Sequence, residues 1–195
     1  MLTIAWDIDD VLNELMRTWF SRAWITEHPD NKLSYCEISE NPPDRILGIS
    51  RAEYLDSLDR FRVSSDARDM PPNPLVLEWL SKFGNEYRHI ALTARPLDSA
   101  PPAAEWLFRH FGSYMRTFAV VPARVASGVP VYDSDKSDYL SWIVKADILV
   151  DDSEQNIRGA ECLGIRGILY PQPWNRASQP PGEILRSISQ PAEAR

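Results

Sequence analysis

The sequence predicts an α/β protein: a doubly wound parallel sheet with helices on both faces and a small helical insert after its first strand. Three observations predict it. Short apolar runs recur along the chain, at residues 2–6, 88–92, 117–121, 147–150 and 165–170. Between the later runs, apolar residues return every three or four positions, the period of an amphipathic helix. Over residues 13–73 the alternation stops, leaving helical spacings and proline loops without a strand-like run. Strands and helices that alternate through short loops build parallel sheets covered on both faces. Such sheets take ligands at the carboxyl ends of their strands.

In chain order, the first strand ends in Asp7-Ile8-Asp9-Asp10. Leu12, Leu15, Met16, Trp19 and Ala23 then follow helical spacing to about His28-Pro29. Asn41-Pro42-Pro43-Asp44 marks a loop, and Ser50-Arg51-Ala52-Glu53 reads as a capping box opening a short helix through Asp59. The stiff Met70-Pro71-Pro72-Asn73-Pro74 returns the chain to the core. Val76, Trp79, Leu80 and Phe83 share one helix face that stops at Gly84, and Ala104, Leu107, Phe108 and Phe111 repeat the pattern between Pro101-Pro102 and Gly112. Tyr139, Leu140 and Ile143 share a face of a helix beginning near Ser134. A further helix runs over 157–163 to Gly164, and residues 182–188 can form a short amphipathic helix in a proline-rich tail.

At 195 residues with 44% apolar side chains, the chain can bury one compact core, with or without an insert. Lys and Arg number 21 against 28 Asp and Glu, a net charge of −7 and a pI near 5.0. That balance argues against a binder of duplex nucleic acid or of an anionic membrane, but leaves a small phosphorylated ligand open. A strand beginning at Leu2 leaves no room for a signal peptide, and no apolar stretch approaches the roughly 20 residues that span a bilayer. A cytoplasmic location is expected. Cys36 and Cys162, far apart and without metal-binding company, read as reduced thiols serving as small hydrophobes.

Asp7, Asp9 and Asp10 crowd one strand end. Carboxylates this close repel, so a cation, protons or water must offset them. Mg2+, a hard cation that takes oxygen ligands and keeps several waters, suits such a place. Taken alone, the cluster reads more simply as a turn or a helix N-cap built from Asp. Downstream, however, three further segments carry polar chemistry in similar contexts: Leu92-Thr93-Ala94-Arg95 and Val150-Asp151-Asp152 after apolar runs, and Lys136 among acids at a helix start.

In this order, Asp7-x-Asp9, Thr93, Lys136 and Asp151-Asp152 resemble the four motifs of the haloacid dehalogenase superfamily, whose members are mostly magnesium-dependent phosphatases. The resemblance covers the chain outside residues 13–73. It implies a Rossmann-like core of residues 1–12 and 74–195, with residues 13–73 as a helical cap that would exclude water and contact the leaving group. It further implies a Mg2+-dependent phosphomonoester hydrolase acting on a small phosphorylated substrate. Asp7 would be the nucleophile, forming an aspartyl-phosphate, and Asp9 the general acid and then base. Thr93, Ala94 through the backbone, and Lys136 would bind phosphate, with Arg95 and Lys145 as lesser candidates. Mg2+ would be held by the Asp7 side chain, the Asp9 carbonyl and Asp151. Adjacent strand residues face opposite ways, so Asp152 would act through water or orient a neighbour.

Within the superfamily the chain resembles the deoxyribonucleotidase branch, through Asp7-Ile8-Asp9-Asp10-Val11-Leu12, Leu92-Thr93-Ala94-Arg95-Pro96, Val150-Asp151-Asp152-Ser153 and Pro173-Trp174-Asn175. A nucleoside or deoxynucleoside monophosphate is therefore one candidate substrate. Two departures stand out: Asp10 replaces a usual glycine and adds charge beside the metal, and Leu15 stands where nucleotide-specific members tend to carry a stacking aromatic. Trp19, Phe20, Trp24, Tyr35, Tyr54 and Phe61 are expected to be mostly core. Arg45, Arg60 and Arg62 are candidate contacts for a second anionic group, although solvated surface is the ordinary role of such residues. The motif order differs from that of a receiver domain, and Asp9 favours phosphatase over dehalogenase chemistry. The alternative is a non-catalytic binding or regulatory protein on the same fold. The sequence carries no sign of oligomeric state.

Overall fold

The computed structural model of the chain describes residues 1–125, 127–142 and 145–189. Five strands, β1 (Thr3–Trp6), β2 (Arg88–Arg95), β3 (Met115–Pro122), β4 (Ile148–Asp151) and β5 (Arg166–Leu169), form one parallel sheet in the order β3-β2-β1-β4-β5. The predicted α/β architecture is the observed one. Strand β2 runs past Leu92, where its apolar pattern ends, because Thr93, Ala94 and Arg95 stay in register with Val120, Val121 and Pro122 of β3. Ladder pairing outlasts the hydrophobic signal.

Alternation along β1 divides the core. Ile4 and Trp6 face a cluster with Trp79, Leu80, Leu107 and Phe111, carried by α6 (Pro74–Phe83) and α7 (Ala100–Phe111). Ala5 faces Leu140, Ile157 and Ala160 of α8 (Lys136–Trp142) and α9 (Glu154–Cys162). The tail helix α10 (Pro181–Ile188) buries Leu185 and Ile188 in the first cluster, so it belongs to the core. Ile143, assigned from sequence to the helix near Ser134, lies outside the described residues.

Residues 13–73 hold no strand among the described residues. Helices α1 (Leu15–Trp19) and α2 (Ile25–Glu27) run on through a π-helical turn at Phe20–Trp24, followed by α3 (Asp44–Leu47), α4 (Arg51–Arg62) and α5 (Ser65–Arg68). The capping box forms as predicted: Ser50 Oγ accepts from Glu53 N–H at 3.2 Å, and Glu53 Oε2 accepts from Ser50 N–H at 2.8 Å. The six aromatics singled out from sequence all pack in this segment's own apolar cluster. The first helix starts at Leu15 rather than Leu12, because a non-helical turn over Ile8–Leu12 intervenes. Cys36 and Cys162 are free, as expected, and both are exposed.

Candidate active site

The direction of chain winding reverses at β1, which has β2 on one side and β4 on the other. Residues leaving these three strands converge at one rim. Asp7 follows β1 directly and donates its N–H to Val150 O at 2.9 Å. Asp151 ends β4 and is fully buried. The side chain of Lys136, first residue of α8, is 2% exposed, and Nζ lies 2.8 Å from Asp7 Oδ2 and 2.7 Å from Asp151 Oδ2. A cation at a helix start is unfavourable by itself. Here two carboxylates hold it.

Asp7, Asp151 and Asp152 each offer a carboxylate oxygen, all within 4.8 Å of one another. Strand alternation does not separate Asp151 from Asp152, because β4 ends at Asp151. The two differ in their partners. Asp151 is saturated: Oδ1 accepts from Ser153 N–H at 2.9 Å and Asn156 Nδ2 at 3.0 Å, while Oδ2 accepts from Lys136 and, at 3.1 Å, Asn156. Asp152 Oδ2 accepts from Trp174 Nε1 at 2.7 Å.

Three buried carboxylates face one ammonium. Burial, with the charges of Asp151, Asp152 and Asp9, pushes Asp7 well above the usual carboxylate range against the pull of Lys136. Burial and then Asp151 push Asp152 up to about 7. For Lys136, burial opposes the charged form, but Asp151 and Asp7 overcome it and raise the ammonium's pKa. The deficit of positive charge and the hard oxygen donors fit Mg2+. Asp7, Asp151 and Asp152 are the side chains that would hold it.

Asp9 turns away from this trio. Its Oδ1 pairs with Arg95 Nη2, its Oδ2 lies 3.5 Å from Arg62 Nη2, and Asn13 Nδ2 donates to Oδ1 at 3.5 Å. Burial would raise Asp9, but the guanidiniums of Arg95 and Arg62 hold it below the ordinary range. Arg62 is thus not the solvated surface residue expected of it, whereas Arg45 and Lys145 are exposed and Arg60 pairs with Glu27 at 3.5 Å.

Asp10 has φ 63°, the left-handed conformation that favours glycine and that Asp tolerates. Its Oδ1 accepts Met16 N–H at 2.9 Å, tying the turn to α1. Its carboxylate is not in the trio that could hold a metal. Burial and the neighbouring Asp152 push its pKa well up, which favours the neutral form over the added charge expected.

Asp7, Asp9, Thr93, Ala94, Lys136 and Asp152 line one cleft of about 160 Å³, together with Leu15, Tyr54 and Arg62 from the insert. Thr93 Oγ1 is buried there without a hydrogen-bond partner. Unpaired buried hydroxyls are costly, and an incoming phosphate oxygen would satisfy this one. Sequence reasoning missed the Arg62–Asp9 contact and the functions of Asn156 and Trp174. Nothing local to α4 marks Arg62. The Pro173-Trp174-Asn175 stretch stands out in the sequence, but nothing local marks Trp174 as a donor to Asp152.

No family model and no curated protein matches the chain. Solved structures do. A haloacid dehalogenase-like hydrolase from Streptococcus pneumoniae superposes with a TM-score of 0.64 at 15% identity, covering 96% of this chain and 98% of that one. A candidate β-phosphoglucomutase from Thermotoga maritima gives 0.61 at 20% identity, covering 97% and 99%. A magnesium-bound hydrolase of the superfamily from Bacillus subtilis gives 0.55 at 11% identity, covering 86% of each chain. The fold is that of haloacid dehalogenase-superfamily hydrolases. The neighbours' names do not single out the nucleotidase branch. Among the described residues no helix is long and apolar enough to cross a membrane.

Proposed function

We propose that the protein is a Mg2+-dependent phosphomonoester hydrolase with Asp7 as nucleophile. The observation that carries this reading is the convergence of Asp7, Asp151 and Asp152 on one rim, with Lys136 paired to Asp7 and Asp151. Bound Mg2+ would offset the remaining negative charge and polarise the phosphoryl group. Of the two adjacent carboxylates, Asp152 is the better direct ligand, since Asp151 takes four donor contacts from Lys136, Asn156 and Ser153 whereas Asp152 takes one from Trp174. This reverses the division of labour implied by sequence. The Asp9 carboxylate faces two arginines, so only its backbone carbonyl is proposed as a ligand.

Thr93 Oγ1, the Ala94 backbone and Lys136 Nζ would hold phosphoryl oxygens. An Asp7 oxygen attacks phosphorus as the ester P–O bond breaks, and the departing alkoxide takes a proton from Asp9. Water then attacks the aspartyl-phosphate, returning its proton to Asp9 and releasing phosphate. In the free protein Asp9 is set for the second step, because two guanidiniums keep it ionised. The first step requires that this hold be loosened.

The cleft of about 160 Å³ shares Asn41 and Asp152 with a neighbouring cavity of about 550 Å³, so the substrate's size is left to the assay. Leu15 in the cleft wall adds no ring for a base to stack on, and the ring that does line it, Tyr54, is buried with its hydroxyl 3.4 Å from Met16 Sδ. A panel of nucleotides, sugar phosphates and short-chain phosphate esters, assayed with and without Mg2+, tests the proposal. Metal-dependent phosphate release that disappears in Asp7→Asn is expected. No release from any ester would favour the non-catalytic alternative.

A further inference from the structure

Arg95 and Arg62 flank a single carboxylate, that of Asp9, with side chains 5% and 12% exposed. The Nε of each arginine is buried without a partner. Arg62 is fixed from behind: its Nη1 lies 3.1 Å from Asp59 Oδ1, and the other Asp59 oxygen pairs with Arg124 of the core. Arg95 donates through Nη1 to Ser99 O at 3.3 Å. Two nearly buried guanidiniums with unused donors thus share one anion at Asp9. A second cavity, of about 20 Å³, touches Asp9, Arg62 and Arg95, and meets the larger cleft along Asp9, Leu15 and Arg62. That volume admits about one water. A tetrahedral phosphate cannot be added there, but a planar carboxylate exchanged for that of Asp9 needs little new space. Guanidinium forks suit planar carboxylates.

We propose that Arg62 and Arg95 form a subsite for a carboxylate carried on the leaving group, and that Asp9 occupies its place in the free protein. This rests on the phosphatase reading above. The substrate class is a short phosphomonoester bearing a carboxylate, its phosphoryl end against Asp7, Thr93 and Lys136 and its other end at the arginines. Exchange at the arginines frees Asp9 to turn towards the ester oxygen, so recognition of the leaving group also delivers the proton-transfer residue. Asp59, itself paired with Arg124, holds Arg62 in place while its anion changes.

Three esters of one chain length test this with Mg2+ present: phosphooxypropanoate, propyl phosphate and propanediol bisphosphate. Wild-type kcat/KM for the carboxylate ester should exceed that for propyl phosphate by about 30-fold or more, the scale of a charge-assisted contact, and should also exceed that for the bisphosphate. In Arg62→Gln, checked for folding by thermal melting, the carboxylate preference should fall to within about threefold. Equal wild-type rates on the carboxylate and propyl esters, or an unchanged preference in the folded variant, overturn the subsite. A preference for the bisphosphate overturns the carboxylate assignment. Release from the wider panel but from none of these three overturns the subsite alone, and release from nothing overturns the phosphatase reading with it. If Arg62→Gln does not fold, the wild-type comparison decides.

Discussion

The insert and the sheet rim are both buried, but they bury opposite kinds of chemistry. In the insert, Trp19, Phe20, Trp24, Tyr54 and Phe61 pack on one another, with apolar area as the stabilising quantity. At the rim, Asp7, Asp151, Asp152 and Lys136 are taken out of water; Lys136 pairs with Asp7 and Asp151, while Asp152 has the indole of Trp174. Burial in the insert is mostly apolar, with Trp19 Nε1 satisfied by Ser57 and Trp24 Nε1 left unpaired. Burial at the rim costs free energy unless the charges balance, and with Lys136 alone that balance takes protons on the carboxylates or a further cation.

The sharpest way to separate the regions is Asp7→Asn. Turnover should fall by about 10⁴-fold or more, while thermal stability stays near wild type, because the amide removes a charge that burial opposes. Retained hydrolysis, with contamination excluded, breaks the proposed site. Lys136→Met should be next in size. It strands two buried carboxylates and should cost about 3–5 kcal/mol in denaturant unfolding, part of which added Mg2+ restores. Trp19→Ala should cost a similar ~3–5 kcal/mol through its cavity, with no recovery by Mg2+. Matching Mg2+ responses in these two variants would erase the distinction between the regions.

A smaller effect follows from Asp152. With its pKa pushed up to about 7 from an ordinary 3.8, the folded state holds this proton more tightly than the unfolded chain. The stability it lends is full below 3.8 and is lost as pH rises towards 7. Mg2+ takes the ionised form, so its stabilising shift in melting temperature should grow through this window and level off above it. A shift independent of pH would remove Asp152 from the metal site. Trp174→Phe should be mildest: loss of one hydrogen bond to a carboxylate costs about 1.5–3 kcal/mol and weakens Mg2+ binding measured by calorimetry. Unchanged metal affinity would limit Trp174 to packing.

Local pattern carries far in this chain where one element satisfies itself. The Ser50–Glu53 box, the amphipathic face of α6, and the alternation of Ile4, Ala5 and Trp6 need only neighbours along the chain. On α7 the expected face is shifted: Ala103 and Trp106 are buried with Leu107 and Phe111, whereas Phe108 is exposed. Prediction weakens where a long-range partner decides. The end of β2 depends on β3, and the late start of α1 follows from the left-handed Asp10 and its hydrogen bond to Met16.

The sequence by itself determined the winding of the sheet, the helical nature of the insert, and which residue types stand at the strand ends, because hydrophobic period and strand-end position are written locally. Tertiary structure alone decided that Asp9 lies between Arg62 and Arg95, that Asp151 is saturated while Asp152 answers to Trp174, and that Thr93 keeps an unpaired hydroxyl. Those facts depend on which charges and donors meet across distant segments, and electrostatic pairing has no period along a chain.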